Sequence, residues 1–395
     1  MNLTKNILQT VFSKGLILLF NFAVVVISTQ LWGAEGRGFI ALFIADLGLI
    51  GILGNIFTGS SVSYYLSQLG ASRLSGQAYL WIFITSILGG AIFYFHENQQ
   101  IALPFFITSC FFGIIAFHNS LFIGSQKINY YNILTLLQPA LLLIFIIAFY
   151  FLFPAIGYFI YFYAQIVSLT VLVGIALILR KRYISKLKLQ IDKEAIGKSF
   201  AFGWQTELSN LLQFVNYRLS FYFLGALSGT APVGVFSIGI TIAEAIWIIS
   251  RSISLVQYSH VLSHGDTPQA RKETMKVSLI SLWASLGTIV ILLLIPEPVF
   301  GFIFGEEFVG VKKVLLYLSP GVLAIAISNV YGNYFSAIGQ LKILILKSGT
   351  GVIVTVLLSY LLIGKYGITG ACIVNSVSYM ITSVVLLVWF LKRKR

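Results

Sequence analysis

Residues 133–179 have the sequence ILTLLQPALLLIFIIAFYFLFPAIGYFIYFYAQIVSLTVLVGIALIL, in which no side chain is charged. A helix that crosses the roughly 30 Å hydrocarbon layer of a bilayer needs about 20 consecutive apolar residues. The stretch is long enough for two such helices, 133–153 and 155–179, with only the triplet Phe153-Pro154-Ala155 to separate them. It therefore predicts two membrane-spanning helices joined by a tight turn.

The composition of the whole chain agrees with this local pattern. Hydrophobic residues make up 58% of the 395 residues, charged residues 10%, and the mean hydropathy is +0.93. Soluble domains carry about 25% charged residues, so we predict an all-α protein that crosses the membrane many times. Twelve apolar runs have the required length. The predicted spans are 11–31, 39–66, 78–96, 101–123, 133–153, 155–179, 199–225, 234–256, 277–296, 314–338, 343–363 and 369–391.

The basic residues predict the orientation of the chain. With a cytoplasmic N-terminus, twenty Lys and Arg residues fall on cytoplasmic segments and four, Arg37, Lys312, Lys313 and Lys365, on outer segments. Multi-pass proteins keep Lys and Arg on the cytoplasmic side in this way, so we predict that both termini are cytoplasmic. The net charge of +14 then reflects topology, and no basic soluble domain favours binding to nucleic acid.

The two halves of the chain resemble each other. Its longest polar stretch, 181–198, predicts a basic cytoplasmic linker between an N-terminal lobe, 1–180, and a C-terminal lobe, 199–395. Gly38 in the first predicted outer loop corresponds to Gly234 in the fourth, 196 residues later. Parallel repeats of this kind build transporters whose binding site lies at the repeat interface. We therefore predict two pseudo-symmetric six-helix bundles around a central cavity.

Four charged residues lie inside the seventh and eighth predicted spans. At about 100° per residue, Glu207 and Arg218 return to within roughly 20° of one face, and Asn210 lies about 60° away. Glu244 and Arg251, seven residues apart, also share a face. A charge in hydrocarbon costs roughly 2.5–3.5 kcal/mol. These residues therefore indicate either a hydrated cavity or ion pairs that join the two helices.

The first two predicted spans contain further polar positions. Lys14, Asn21 and Ser28 recur every seven residues along one face of the first span. We expect this face to point at the same hydrated interior. Asp46 stands alone in the second span, close to its outer end. This position is equally consistent with a carboxylate that faces the pore and with one that lies near the loop and has no role in transport.

Short motifs give the chain a resemblance to a known family. The motifs are residues 13–15 (SKG), 31–38 (LWGAEGRG), 216–218 (NYR), 305–308 (GEEF) and 366–371 (YGITGA). With them the chain resembles bacterial polysaccharide and O-antigen flippases. These belong to the multidrug/oligosaccharidyl-lipid/polysaccharide (MOP) exporter superfamily, which also contains multidrug/sodium antiporters and lipid II flippases. The resemblance runs almost from end to end and implies the MATE-like fold of that superfamily.

The resemblance also implies a function. Such flippases move undecaprenyl-pyrophosphate-linked oligosaccharide from the cytoplasmic to the outer leaflet of the bacterial inner membrane. They use cations in the cavity for the pyrophosphate, and Lys14, Arg218 and Arg251 are the positions here that could serve in this way. The predicted substrate-binding residues are Lys14, Asn21, Asn210, Tyr217, Arg218 and Arg251. The predicted ion-coupling residues are Asp46, Glu207 and Glu244. Ser220 stands where many relatives carry an acidic residue, which argues against ion coupling at that position.

Two other functions stay open at this point. A multidrug/cation antiporter on the same fold would need acidic residues to dominate its cavity. A membrane glycosyltransferase would need a large extramembrane domain or a clustered acidic loop, so we expect no enzyme activity and no cofactor. Cys110 and Cys372 have no neighbouring thiol or His, which predicts no metal site. The expected partners are lipid-linked oligosaccharide, membrane lipids, coupling H⁺ or Na⁺ and polysaccharide assembly machinery.

Overall fold

Long helices form nearly all of the computed structural model, which describes residues 3–96, 99–184 and 188–392. The helices are α1 Leu3–Thr58, α2 Ser60–His96, α3 Gln99–Gly124, α4 Ile128–Leu152, α5 Phe159–Lys181, α6 Lys193–Ser228, α7 Thr230–His264, α8 Pro268–Leu294, α9 Glu297–Phe304, α10 Val311–Ala337 and α11 Leu341–Lys392. Two short 3-10 helices, Pro154–Ile156 and Glu306–Phe308, lie between them. Lys186 and the basic residues 393–395, which contribute to the predicted orientation, lie outside the described residues.

Single glycines interrupt three of the long helices. Gly33 in α1 (φ 61°, ψ −165°), Gly70 in α2 (φ 75°) and Gly367 in α11 (φ 52°) are not helical. Gly33 and Gly367 fall between predicted spans, as expected. The predicted second span, 39–66, is too long, because α1 ends at Thr58 and α2 begins at Ser60.

The apolar helices account for the predicted membrane spans. Within the described ranges, eight helical segments are long and apolar enough to cross a membrane. One of them, Ser13–Phe95, covers three predicted spans, and Leu341–Lys392 covers two. The predicted span 199–225 lies in α6, which is not among the eight. The prediction of an all-α chain with many membrane-spanning helices is confirmed.

The chain folds into two compact units. Unit 1 comprises Met1–Leu31 and Phe43–Leu211, and unit 2 comprises Trp32–Leu42 and Leu212–Arg395. Both α1 and α6 therefore contribute residues to each unit. The division after Leu211 falls inside α6. The lobes and linker predicted from the sequence stay a prediction.

In unit 1, the chain that leads into α6 is attached to α2. The Arg73 guanidinium donates a hydrogen bond to Asp192 at 2.8 Å and another to Glu194 at 2.6 Å. A Cβ on Gly76 would lie 2.2 Å from the carbonyl oxygen of Gln190, so the two main chains are in direct contact. The described end of the predicted linker is therefore held against the helix.

In unit 2, an aromatic cluster joins α6, α7 and α11. Trp247 is 1% exposed, and its ring lies 5.4 Å from that of Tyr217 and 5.6 Å from that of Tyr379. Aromatic pairs at such distances add to the stabilisation from burial. This packing fixes the faces of α6 and α7 that carry the charged residues of unit 2.

A carboxylate caps the helix that restarts after the break in α1. The Ala34 backbone N–H donates a hydrogen bond to Glu307 Oε2 at 2.6 Å. Because the first N–H groups of a helix have no partner inside it, a carboxylate there satisfies a donor and complements the helix dipole. A Cβ on Gly33 would lie 2.9 Å from the same oxygen, so the glycine also makes room for the cap.

Candidate functional site

Unit 1 contains an open cavity of about 760 Å³. Residues of α1, α3, α4 and α5 line it, together with one residue of α2. Its polar lining combines carboxamides and hydroxyls with one ammonium group, and consists of Ser13, Lys14, Asn21, Asn55, Thr85, Ser109, Tyr131, Asn132, Thr135, Gln138, Tyr161 and Gln165. Ligand pockets typically have volumes of roughly 300–1,000 Å³, so this cavity is large enough to bind a substrate.

The structure places two predicted binding residues on this lining and leaves two other polar positions off it. Lys14 and Asn21 both line the cavity. Ser28, the third residue of the predicted polar face, is instead fully buried, and its hydroxyl donates to the Val25 carbonyl at 2.8 Å. Asp46 lies half-buried on α1 and is not a lining residue.

The charge of the cavity is positive. Lys14 is the charged side chain among the lining residues, which include no Asp or Glu. An ammonium group is a compact cation with three rotatable donors and pairs well with phosphate. The lining is therefore suited to an anionic or a neutral ligand and unsuited to a cation.

The hydroxyl groups of the lining have fixed directions. Thr85 donates to the carbonyl of Trp81 at 2.9 Å, Ser109 to that of Phe106 at 3.0 Å, and Thr135 to that of Tyr131 at 2.9 Å. Because the hydroxyl proton is used within the helix, the oxygen of each group keeps acceptor capacity.

Four carboxamides of the lining were not among the predicted site residues, those of Asn55, Asn132, Gln138 and Gln165. Gln138 on α4 and Gln165 on α5 both face the cavity. Gln165 is 4% exposed, and neither side-chain amide forms a hydrogen bond with any described residue. A signal was present in the sequence, since these are the carboxamides of the uncharged stretch 133–179.

Two predicted site residues of unit 2, Arg218 and Glu244, form an ion pair. Arg218 Nη2 of α6 lies 2.8 Å from Glu244 Oε1 of α7, and the side chains are 21% and 36% exposed. The guanidinium also lies over the Phe221 ring, 5.2 Å from its centroid. The Arg218–Glu244 pair joins α6 to α7, as one of the two interpretations of the sequence proposed. Arg251 is exposed on α7, and no described carboxylate pairs with it.

The other predicted site residues on α6 have local partners. Glu207, buried at 6% exposure in unit 1, accepts a hydrogen bond from the Asn210 amide at 3.2 Å. Tyr217 in unit 2 accepts one from the Gln213 amide at 2.8 Å. Asn210 and Glu207 therefore act together, whereas Tyr217 belongs to the aromatic cluster around Trp247.

Several buried polar side chains at the centre of unit 2 form hydrogen bonds with one another. Thr355 and Ser378 each donate to Asn216 Oδ1 at 2.8 Å. Ser220 donates to Asn375 Oδ1 at 2.5 Å. These bonds specify the packing of α6 against α11 and use the hydrogen-bonding capacity of the groups that form them. In this respect these groups differ from the open lining of the cavity in unit 1.

No cluster of three or more His, Cys, Asp or Glu residues in the described part of the chain could hold a metal ion. Cys110 and Cys372 are both free thiols.

Solved structures share this fold, although no sequence family and no curated protein matches the chain. A multidrug resistance MATE family transporter of the MOP superfamily, in an inward-facing conformation, aligns with a TM-score of 0.77 at 14% identity, over 95% of this chain and 94% of its own. The chain therefore shares the fold of this transporter. Lipid II flippase MurJ, in an inward closed conformation, aligns with a TM-score of 0.76 at 16% identity, over 98% of this chain and 87% of its own.

A third solved structure concerns the polarity of the binding pocket. It is a MOP superfamily transporter from Pyrococcus furiosus, described as having a binding pocket of reverse polarity that suggests a different function. It aligns with a TM-score of 0.65 at 13% identity, over 98% of this chain and 94% of its own. The MATE-like fold class predicted from the sequence is thus confirmed.

Proposed function

We propose that this protein is a flippase that moves undecaprenyl-pyrophosphate-linked oligosaccharide from the cytoplasmic to the outer leaflet of the bacterial inner membrane. The observation that carries the proposal is the unit 1 cavity, whose lining contains Lys14 and no carboxylate. A substrate with a phosphate group and polar sugars fits such a lining, because the phosphate pairs with the ammonium and the sugars with neutral polar groups.

The membrane potential can drive this movement. A pyrophosphate diester carries about two negative charges, and its outward movement gains roughly 4–5 kcal/mol per 100 mV, at about 2.3 kcal/mol per charge. Lys14 is the residue of unit 1 that meets the phosphate. Arg251, exposed on α7, and Arg218, paired with Glu244, stay proposed phosphate ligands of unit 2.

Ion coupling is a separate part of the proposal. Glu207 is the best placed of the predicted coupling residues, because its carboxylate is buried and accepts a hydrogen bond from the neutral amide of Asn210. Glu244 is paired with Arg218, and Asp46 lies off the cavity lining. Collapse of the proton or sodium gradient at constant voltage should slow transport if Glu207 couples ions, and an unchanged rate would remove that role.

A multidrug/cation antiporter is the second candidate. The alignment with a MATE family transporter favours it, since the fold is shared. The cavity lining argues against it, because a cationic drug in this cavity would meet Lys14 and no carboxylate. The two candidate functions therefore differ in the sign of the charge on the transported molecule.

Reconstituted protein in liposomes with an imposed potential tests the proposal. We expect flipping of a polyprenyl-pyrophosphate saccharide and no transport of the lipophilic cation tetraphenylphosphonium. Lys14→Met should slow flipping about tenfold or more, since charged hydrogen bonds contribute about 1.5–3 kcal/mol. Lys127→Met is the matched control, because Lys127 lies exposed in the turn between α3 and α4. Transport of the cation with no flipping would establish the antiporter instead.

Cells provide a second test. Deletion of the gene should cause undecaprenyl-linked saccharide to accumulate on the inner leaflet, and this is measured by extraction of the lipid-linked intermediates. A deletion strain with a normal distribution of these lipids would contradict the proposed function.

A further inference from the structure

The unit 1 cavity presents carboxamides from three helices. They are Asn21 and Asn55 on α1, Asn132 and Gln138 on α4, and Gln165 on α5. A carboxamide offers two N–H donors and one oxygen acceptor in a planar group, whereas an ammonium group offers donors alone. The lining therefore provides paired donors and acceptors from several directions.

Gln165 gives the strongest indication of a ligand. Its side chain is 4% exposed, lines the cavity and has no hydrogen-bond partner among the residues that the structure describes. Its polar atoms are not sealed from the cavity, so a molecule bound there can reach them. Gln138 on α4 is also without a described partner. A bound molecule with hydroxyl groups would satisfy both amides.

The fixed hydroxyls complete the pattern. Thr85, Ser109 and Thr135 donate within their own helices and keep acceptor capacity. A ligand must therefore donate to these oxygens and both donate to and accept from the carboxamides. Sugar hydroxyl groups do both. Phe112 and Tyr131 supply aromatic side chains to the same lining, and these suit the apolar face of a sugar ring.

The charged groups of the lining determine whether a neutral or an acidic sugar fits the cavity. Lys14 is the cation of the lining, and in the proposed function it pairs with the phosphate of the lipid-linked substrate. A uronic acid in the same cavity would bury a carboxylate without a cation, which is strongly unfavourable. We propose that this cavity receives the saccharide part of the substrate and selects neutral sugars over acidic ones. The inference rests on the proposed function and deepens it.

Two lipids test the proposed selectivity. Both carry the same disaccharide on undecaprenyl pyrophosphate, except that one has glucose where the other has glucuronic acid. In reconstituted liposomes, the wild-type protein should flip the neutral lipid at least about tenfold faster, which corresponds to about 1.4 kcal/mol. Equal rates, or a faster rate for the acidic lipid, would overturn the inference.

Two substitutions in the cavity should each reduce the preference for the neutral lipid. Gln165→Leu keeps nearly the same volume and should slow the neutral lipid about tenfold, because a sugar hydroxyl loses its partner. Gln138→Lys, at a half-buried position, adds a second cation and should raise the relative rate of the acidic lipid about tenfold. Gln269→Leu is the matched control, since Gln269 is exposed on α8. An unchanged preference in both cavity variants would refute the assignment, and if either fails to fold, the wild-type preference alone decides.

A binding experiment separates this inference from the proposed function. If the wild-type protein flips neither lipid, the proposed function fails, and the cavity is then tested with free sugars. Thr135→Cys places a thiol on the lining, and its rate of maleimide labelling reports occupancy. Protection by free cellobiose and not by its glucuronic-acid analogue would retain the sugar assignment. Equal labelling with and without cellobiose would exclude it.

Discussion

Gly38 and Gly234 lie in direct contact, and each makes room for the main chain of the other helix. A Cβ on Gly38 would lie 1.9 Å from the carbonyl oxygen of Thr230, and a Cβ on Gly234 would lie 1.9 Å from that of Ala34. Ala34 and Thr230 are 196 residues apart, as are Gly38 and Gly234. The contact is therefore reciprocal between positions that correspond in the internal repeat, and both partners belong to unit 2.

Substitution of either glycine should destabilise this crossing. Gly38→Ala or Gly234→Ala places a methyl group against a carbonyl oxygen, so the two helices must separate. Forced overpacking costs about 1–3 kcal/mol, and a clash with main chain belongs at the upper end of that range. We expect a lower thermal unfolding midpoint in detergent for each variant.

Gly174→Ala is the control for this effect. No atom lies within 4 Å of the position that its Cβ would take, and Gly174 lies inside α5. Because alanine is the better helix former by about 0.5–1 kcal/mol, this variant should be as stable as the wild type or more so. Equal midpoints for the Gly38 and Gly174 variants would show that the close crossing does not constrain the protein.

The cap on the broken helix of α1 leads to a graded prediction. Glu307→Gln keeps an acceptor for the Ala34 N–H but removes the charge, whereas Glu307→Ala removes both. Loss of a capping side chain costs about 0.5–2 kcal/mol, and the helix dipole contributes part of it. Thermal unfolding should therefore rank the wild type above Gln and Gln above Ala. Identical midpoints for the three proteins would contradict the capping role.

The sequence predicted the fold well because hydrophobic length and glycine position are local signals. The spans 133–153 and 155–179 correspond to α4 and α5, and a 3-10 helix at Pro154–Ile156 joins them. The motif at 31–38 marks the break at Gly33. The first predicted outer loop was wrong in detail, since Gly36 to Phe39 are helical and Arg37 is buried, with its Nε 3.2 Å from Ser237 Oγ.

The site was less predictable because it depends on which helices meet. The spacing of Lys14 and Asn21 placed both on one face, and both line the cavity. Arg218 and Glu244 were predicted to belong to the site because they are charged residues inside predicted spans, and they pair with each other. Gln165 is marked in the sequence only as a carboxamide in the uncharged stretch 133–179, and its position on the lining depends on how α5 packs beside the other lining helices.

The attachment of the linker predicts a pH effect on one carboxyl group. The Arg73 guanidinium, with help from the Ala195 N–H, lowers the pKa of Asp192 to about 2. Because this folded-state pKa is depressed, the stabilising contribution is present above the ordinary pKa of about 3.9 and is lost as the pH falls towards 2. Arg73→Gln should raise the pKa of Asp192 towards its ordinary value, as measured by a carboxyl NMR titration.

The same substitution should expose the linker to protease at neutral pH. Without Arg73, the chain before α6 loses its ionic contacts with α2, and trypsin should cleave after Lys188 faster. Arg182→Gln is the matched control, since Arg182 is exposed and forms no ion pair with the described residues. Cleavage at the wild-type rate in Arg73→Gln would show that the main-chain contacts at Gly76 suffice.

Substitutions in the ion pair of unit 2 show whether Arg218 has a structural role or binds the substrate. Arg218 and Glu244 are 21% and 36% exposed, so their coupling in a double-mutant cycle of stability should be about 1 kcal/mol or less. If Arg218 receives the substrate phosphate, Glu244 competes for it. Glu244→Gln should then tighten binding of inorganic pyrophosphate several-fold with little change in the unfolding midpoint, and Arg218→Met should abolish this gain. Weaker binding in Glu244→Gln, together with a large loss of stability, would assign the pair to helix packing alone.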